Sequence, residues 1–252
     1  MVNIKHTRYI FIAVVALIVV VAVYITFFAK KSAPDFSLYE AGPERKAAFF
    51  NYFQPIVHSI NSEILSDRKK VQKECEANND STSLGNMAKK YRLDKQDVLN
   101  EPMCNILLRR VDVIPASLAL AQAANESAWG TSRFAVEANN FFGQWCFMKG
   151  CGVVPNKRDK NKTHEIADFR TPKDSVKSYM MNLNTHEAYR DMRKIRQAQR
   201  LQDVPLSGLT LSQALLNYSE RKEEYVEEIN AMIRFNNLQR FDDVINSLQA
   251  GH

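Results

Sequence analysis

Between Tyr9 and Ala29 the chain reads YIFIAVVALIVVVAVYITFFA, an apolar run without a single charge. A helix needs about 20 such residues to cross the hydrocarbon core of a bilayer, and a lone segment satisfies its backbone in lipid only as a helix. The run predicts a transmembrane helix over 9–29, behind a short N-terminus at 1–8. A secretory signal has a shorter apolar core and a small-residue exit. Here Phe27, Phe28, Lys30 and Lys31 occupy the exit, which predicts an uncleaved, single-pass anchor. Lys5 and Arg8 before the run nearly balance Lys30 and Lys31 after it, so charge leaves the orientation open.

Cysteine placement decides it. Cys75, Cys104, Cys146 and Cys151 all follow the apolar run. Short separation favours Cys146 with Cys151 and, by elimination, Cys75 with Cys104, while four buried free thiols are the alternative. Two disulfides imply an oxidising compartment, hence a cytoplasmic 1–8 and an extracytoplasmic body. There is no Cys-x-x-Cys and no helical histidine pair, so neither a metal site nor a cofactor is expected.

The net charge is +6, and with Lys5 and Arg8 set aside the remaining 32 basic residues face 28 acidic ones. That mild excess suits a carboxylate-bearing substrate or an anionic surface. The basic residues are interleaved with acids rather than gathered in a stripe, so no nucleic-acid partner is expected.

After a polar linker at 30–43, apolar residues recur at helical spacing from Phe49 to Ile64, with Pro55 as a possible kink, and further helices are expected through Leu84–Tyr91 and Ile106–Val111. Region 44–110 therefore reads as helical packing material. The segment Ala121–Gly143 is the centre of the remainder. Pro115 opens its helix, Gly130 loosens or ends it, and Glu126 falls in the last turn. Leu118, Gln122, Asn125, Trp129 and Val136 map to one face, with Glu126 on its shoulder. A carboxyl beside an indole is desolvated and its pKa rises, as a general acid near neutrality requires. The plain alternative is a surface glutamate on an amphipathic helix.

Beyond Gly143, a Cys146–Cys151 bridge would cinch a loop bearing Trp145 and Phe147, aromatics suited to a sugar subsite or to packing beneath the loop. Residues 156–163 read as a hairpin tip and His164–Arg170 as a returning strand. Thr171-Pro172-Lys173-Asp174 opens a capped helix, and Leu211–Tyr218 and Tyr225–Phe235 supply two more.

The series IPASLALAQAANESAWGTSRFA, NNFFGQWCF, GCGVVP, FRTPKDSVKSYMMNLNTHEAYRDMR and NYSERKEEYVEEINAMI resembles the glucosaminidase family of peptidoglycan hydrolases, glycoside hydrolase family 73, and within it the Bax-like branch. The resemblance covers roughly 111–243, with weaker similarity upstream at MAKKYRL. It implies a mainly α, lysozyme-like, two-lobed domain with a small β-hairpin over 111–245, and the glycan strands of peptidoglycan as substrate. By the same resemblance Glu126 is the catalytic acid, Asn140, Phe141 and Gly143 form a cleft-shaping turn, and Tyr218 stands opposite the acid with Tyr225 nearby. Glu165 falls where some members carry a second carboxylate, and Asp168 is a weaker candidate for that role. Gln122, Trp129, Phe142, Trp145 and Tyr189 complete the expected substrate-binding set. The expected activity is endo-β-N-acetylglucosaminidase. A lytic transglycosylase or muramidase on the same fold, or a non-catalytic peptidoglycan-binding scaffold, are the alternatives.

Overall fold

The computed structural model describes residues 4–77, 81–94, 96–99, 101–155, 163–216 and 218–243. Its elements are helices α1 (Ile4–Phe28), α2 (Pro43–Glu76), α3 (Thr82–Lys90), α4 (Met103–Arg110), α5 (Ala116–Glu126) and α6 (Arg133–Ala138), then strands β1 (Trp145–Cys146), β2 (Gly152–Val153) and β3 (Glu165–Ala167). Helices α7 (Pro172–Thr185), α8 (Arg190–Leu201), α9 (Gly208–Ser212) and α10 (Glu223–Phe235) follow. The fold is mainly helical with one small sheet.

Helix α1 contains the apolar run. Its described side chains, Tyr9, 11–21 and Tyr24, are exposed. Among the described residues no helix is long and apolar enough to count as a membrane span.

Helix α2 starts at Pro43, where a missing N–H costs nothing, and carries Glu44 in its first turn. It runs unbroken through Pro55, which lies on the exposed side, where the carbonyl it leaves unpaired can face water. Phe49, Phe50, Phe53, Val57, Ile60 and Ile64 form its buried stripe against α5. The Cys75–Cys104 disulfide joins its far end to α4.

Helix α5 is enclosed on every side rather than amphipathic: no residue from Ala116 to Ala124 is more than 1% exposed. Five alanines let α2, α9 and α10 approach closely, while Leu118 and Leu120 each gain roughly 1.5–3 kcal/mol from burial. Pro115 offers no capping side chain. Asp242, from the other end of the chain, accepts the Ser117 N–H at 2.8 Å and its hydroxyl at 2.6 Å. A carboxylate there also suits the positive end of the helix.

The segment 30–43, read as a linker, is mostly exposed but is tied to the body at several points. The Lys31 N–H donates to the Arg170 carbonyl at 2.9 Å, and Asn139 Nδ2 donates to the Lys31 carbonyl at 3.1 Å. Lys30 pairs with Asp168. Phe36 is 1% exposed and lies over Gly130, where a Cβ would stand 2.3 Å from its ring. A polar, proline-bearing composition signals a loop but does not reveal that one phenylalanine in it completes the core. That core joins Phe49–Ile64 of α2 to the region after residue 112, while the end of α2, α3 and α4 pack in a second cluster around Val71, Leu84, Tyr91 and Leu107.

The expected helix through Tyr218 stops at Ser212, after which tighter turn bonds, Ala214 N–H to Leu211 and Leu215 N–H to Ser212, redirect the chain. The expected hairpin is a three-stranded antiparallel sheet in the order β1-β3-β2, so the returning strand lies in the middle. Residues 156–162 of the predicted hairpin tip lie outside the described residues. The capping box at Thr171 and Asp174 forms as the sequence predicts.

Between α4 and α5, Asp112 is 2% exposed and faces three guanidiniums. Arg200 donates to it at 2.6 and 3.0 Å, with Arg68 at 3.6 Å and Arg196 at 3.8 Å. Burial by itself would raise the Asp112 pKa, but Arg196, Arg68 and Arg200 together hold it below the usual carboxylate range. Asp112→Asn leaves buried guanidiniums uncompensated and is expected to cost about 3–5 kcal/mol in urea unfolding. Because the folded-state pKa is depressed, the stability Asp112 contributes is present above the unfolded value near 3.8 and is lost as pH falls through the lower folded value. Acid titration of wild type and Asp112→Asn should therefore converge below that window.

Candidate active site

Glu126 is the last residue of α5, where the fully enclosed helix emerges into a cleft of 850 Å³. Three successive residues with positive φ, Ala128 (48°), Trp129 (59°) and Gly130 (78°), then turn the chain away. Ser127 stabilises this exit: its hydroxyl donates to the Ala123 carbonyl at 2.6 Å and accepts the Gly130 N–H at 2.8 Å. The backbone reversal swings Trp129 out of the helical face predicted for it. Its indole packs edge-on against Phe49 and Phe50 at 5.8 and 5.3 Å, with Lys46 over the ring. Trp129 is a core contact and not part of the cleft lining, which corrects its assignment to substrate binding.

What desolvates Glu126 is tyrosine and backbone instead. A Cβ at Gly143 would lie 3.7 Å from Glu126 Oε2, and Gly143 itself has φ +63°, a conformation that favours glycine. Burial raises the Glu126 pKa above its ordinary 4.5, Glu228 adds to the rise, and hydrogen bonds from Tyr225 and Asn125, with Arg221, oppose it. The net direction is upward, as a proton donor near neutrality requires.

Gln122 lies one turn earlier and is 0% exposed. Its Nε2 donates to the Tyr225 hydroxyl at 2.7 Å, and its Oε1 accepts from the Tyr179 hydroxyl at 2.5 Å. Gln122 therefore holds the tyrosine that bonds Glu126 and does not line the cleft. Tyr218 stacks on Tyr225 at 5.4 Å and donates to the Phe142 carbonyl at 3.1 Å. Phe142 stacks on Tyr179 at 4.0 Å. Burial pushes the Tyr218 and Tyr179 phenols far up and Tyr189 up to about 12, so all three are neutral hydrogen-bonding groups near neutral pH.

The turn before Gly143 is built by Asn140, 1% exposed. Its Nδ2 donates to the Gln144 and Ala167 carbonyls, both at 2.9 Å, and its Oδ1 accepts the N–H groups of Phe142 and Gln144. Phe141 packs inward on Phe53 at 4.6 Å. Both residues shape the cleft from behind it and are corrected from substrate contacts to scaffold. Phe142, Gly143, Trp145, Tyr189 and Tyr218 do line the cleft with Glu126, while Tyr225 reaches it through its bond to the acid.

Glu165 is not brought to the cleft. It is 5% exposed, and its two carboxylate oxygens accept the N–H groups of Gly150 at 3.0 Å and Gly152 at 2.9 Å. Asp168 is tied to Lys30. Cys146 and Cys151 are disulfide-bonded, as the spacing predicts. They lie beside Glu165 but offer no thiolate for a metal.

Sequence reasoning missed Ser178, Asn182, His186 and Glu220 among the lining residues. The first two sit one turn apart on α7, a polar pair whose helical spacing was the available signal. Glu220 lies within the NYSERKEEY motif and is the other carboxylate of the described lining.

The family profile described as mannosyl-glycoprotein endo-beta-N-acetylglucosaminidase, the glucosaminidase family, matches residues 102–238. The chain is 33% identical over 209 residues to the protein Bax of Escherichia coli (strain K12), an alignment covering 81% of this chain and 74% of that protein. Among solved structures, the catalytic domain of the autolysin Auto from Listeria monocytogenes is similar at 17% identity and a TM-score of 0.44, over 81% of this chain and 92% of that one. Glu126, the tyrosines around it and the turn that ends at Gly143 all lie inside the matched residues, and the chain belongs to the glucosaminidase family of glycoside hydrolases, as one of its Bax-like members.

Proposed function

We propose that this chain is a membrane-anchored endo-β-N-acetylglucosaminidase that cleaves the glycan strands of peptidoglycan, with Glu126 as general acid. The observation that carries the reading is the placement of Glu126: a carboxyl with a raised pKa at the end of an enclosed helix, hydrogen-bonded by Tyr225, in the wall of a cleft large enough for a glycan segment. A lysozyme-like, two-lobed arrangement fits this cleft, with the small sheet on one side and α7 on the other. Anchoring through α1 in the inner membrane, with 1–8 cytoplasmic and the body periplasmic, is supported by the uncharged run at 9–29 and by both disulfides. Tethering would then hold the enzyme beside the cell wall.

The placement of Glu165 favours a mechanism with one essential carboxylate. Glycosidases that use two need the second aimed at the reacting sugar, to activate water or to attack carbon. With Glu165 committed to Gly150 and Gly152, the second role passes to the substrate's own acetamido group or to Glu220, the other carboxylate of the described lining, while Tyr218 orients the attacking species. The same single-acid geometry also favours, as a second reading, a lytic transglycosylase that forms an anhydro product.

Full-length protein in detergent, incubated with purified sacculi, borohydride-reduced and analysed by mass spectrometry, separates these readings. Reduced N-acetylglucosamine ends support the glucosaminidase, reduced muramic ends a muramidase, and anhydromuramic ends the transglycosylase. No release by folded protein, together with retention on sacculi, would mean a binding scaffold. Glu126→Gln is expected to abolish release while unfolding within about 1 kcal/mol of wild type, because shape is kept and only the acid is lost. Since the acid works protonated, activity is expected to fall as pH rises through a value above 4.5. Tyr225→Phe removes a hydrogen bond that favours the charged form, so it should shift that alkaline limb to higher pH in a kcat/KM profile.

A further inference from the structure

Strand pairing sorts the small sheet into two faces. Trp145 pairs with Ile166 and Cys146 with Glu165, so Trp145, Ile166 and His164 share one face while Glu165 and the disulfide share the other. On the first face the Trp145 indole stacks on the His164 imidazole at 4.2 Å and 19°. Trp145 remains 56% exposed, and Phe147, also in the cleft lining, is 73% exposed. Backed on one side by an imidazole and open on the other, the indole presents a fixed apolar plate to the cleft that holds Glu126.

An exposed aromatic plate binds tightly only if ordering it on binding costs little. The second face supplies that order. The loop between β1 and β2 is closed by Cys146–Cys151, and Glu165 reaches from the central strand to take the N–H groups of Gly150 and Gly152. A Cβ on Gly152 would stand 1.9 Å from the Ile166 carbonyl, so the two strands meet closer than any side chain there permits. A buried carboxylate with both oxygens occupied by loop amides is a strong, short restraint.

We propose that Glu165 is a positioning residue: with the disulfide, it holds Trp145, His164 and Phe147 as a preformed aromatic subsite that stacks a saccharide ring of the glycan away from the bond being cleaved. The ligand class is a β-1,4-linked N-acetylated hexosamine chain, whose rings present an apolar C–H face to the indole. The proposal rests on the function proposed above and assigns Glu165 to binding in place of acid–base chemistry.

The test uses full-length protein in detergent and glycan strands of two lengths, one long enough to pass both Glu126 and Trp145 and one confined to the scissile linkage. Trp145→Ala, on an exposed side chain that leaves the core intact, should raise KM on long strands at least fivefold, with kcat within twofold of wild type and no change on the short substrate. Glu165→Gln keeps the shape but turns one loop amide contact into two facing donors, and should show the same KM-only signature. The double variant should be no worse than Trp145→Ala alone. A kcat loss of a hundredfold or more in Glu165→Gln on both substrates, with wild-type KM, would overturn the proposal and restore Glu165 as a reacting carboxylate. Unchanged KM on long strands in Trp145→Ala would overturn it too. Should wild type cleave neither substrate, the function reading fails separately, and the subsite is judged by binding of N-acetylglucosamine tetramer to Glu126→Gln. Quenching of tryptophan fluorescence that disappears in Trp145→Phe upholds it, and absence of quenching removes it. Thermal unfolding of each variant within a few degrees of wild type separates lost binding from lost fold.

Discussion

The complete enclosure of α5 is the constraint on which the rest depends. A helix with no exposed side chain from Ala116 to Ala124 has no solvent face, so its neighbours must surround it. The aromatic stripe of α2 covers one flank, α9 and α10 cover others, and Asp242 closes its first turn. Only the C-terminal end leaves the core. The Glu126 carboxyl at that end is held by the packing around the helix, while its charge is neither wholly solvated nor wholly buried. That intermediate position raises its pKa without forcing it permanently neutral.

Polar groups inside this shell are placed to fix geometry. Gln122 uses both ends of its amide on Tyr225 and Tyr179, so the position of the phenol beside Glu126 is referred back to the core helix that carries the acid. Asn140 does the same for the opposing turn, satisfying four backbone groups and setting Gly143 against Glu126. Asp112 and its guanidiniums tie the start of α5 to α2 and α8. Buried networks of this kind are costly when half-made and rigid when complete, which is the condition a catalytic cleft needs.

Much of this was legible in the residues. The capping box at Thr171, the proline start of α7, the helical stripe from Phe49 to Ile64 and both cysteine pairings rest on local rules of spacing and backbone geometry, and all appear in the structure. Glu126 was legible because its helix, its glycine and the motifs that follow it form a recognisable series. Trp129 was projected onto the face of a continuing helix, but three left-handed residues from Ala128 redirect the chain. Gln122, Asn140 and Phe141 lie close in sequence to residues that line the cleft, and only their buried partners show that they support it from behind. Glu165 looks available in the sequence, as a glutamate on a hairpin, and only the structure shows the loop amides its oxygens accept.

By itself the sequence determined most of the helices, the cysteine pairs and the uncharged run at 9–29, since each depends on residues close together in the chain or on a motif. Tertiary structure alone decided which polar groups are free to meet a ligand. Tyr225 meets Gln122 across 103 residues, Asp242 meets Ser117 across 125, and Lys31 meets Asn139 across 108. Such contacts carry no periodic signature, because they are selected by the shape of the packed core rather than by neighbours in sequence. Which partners a buried glutamate's oxygens find is therefore fixed only when the chain closes.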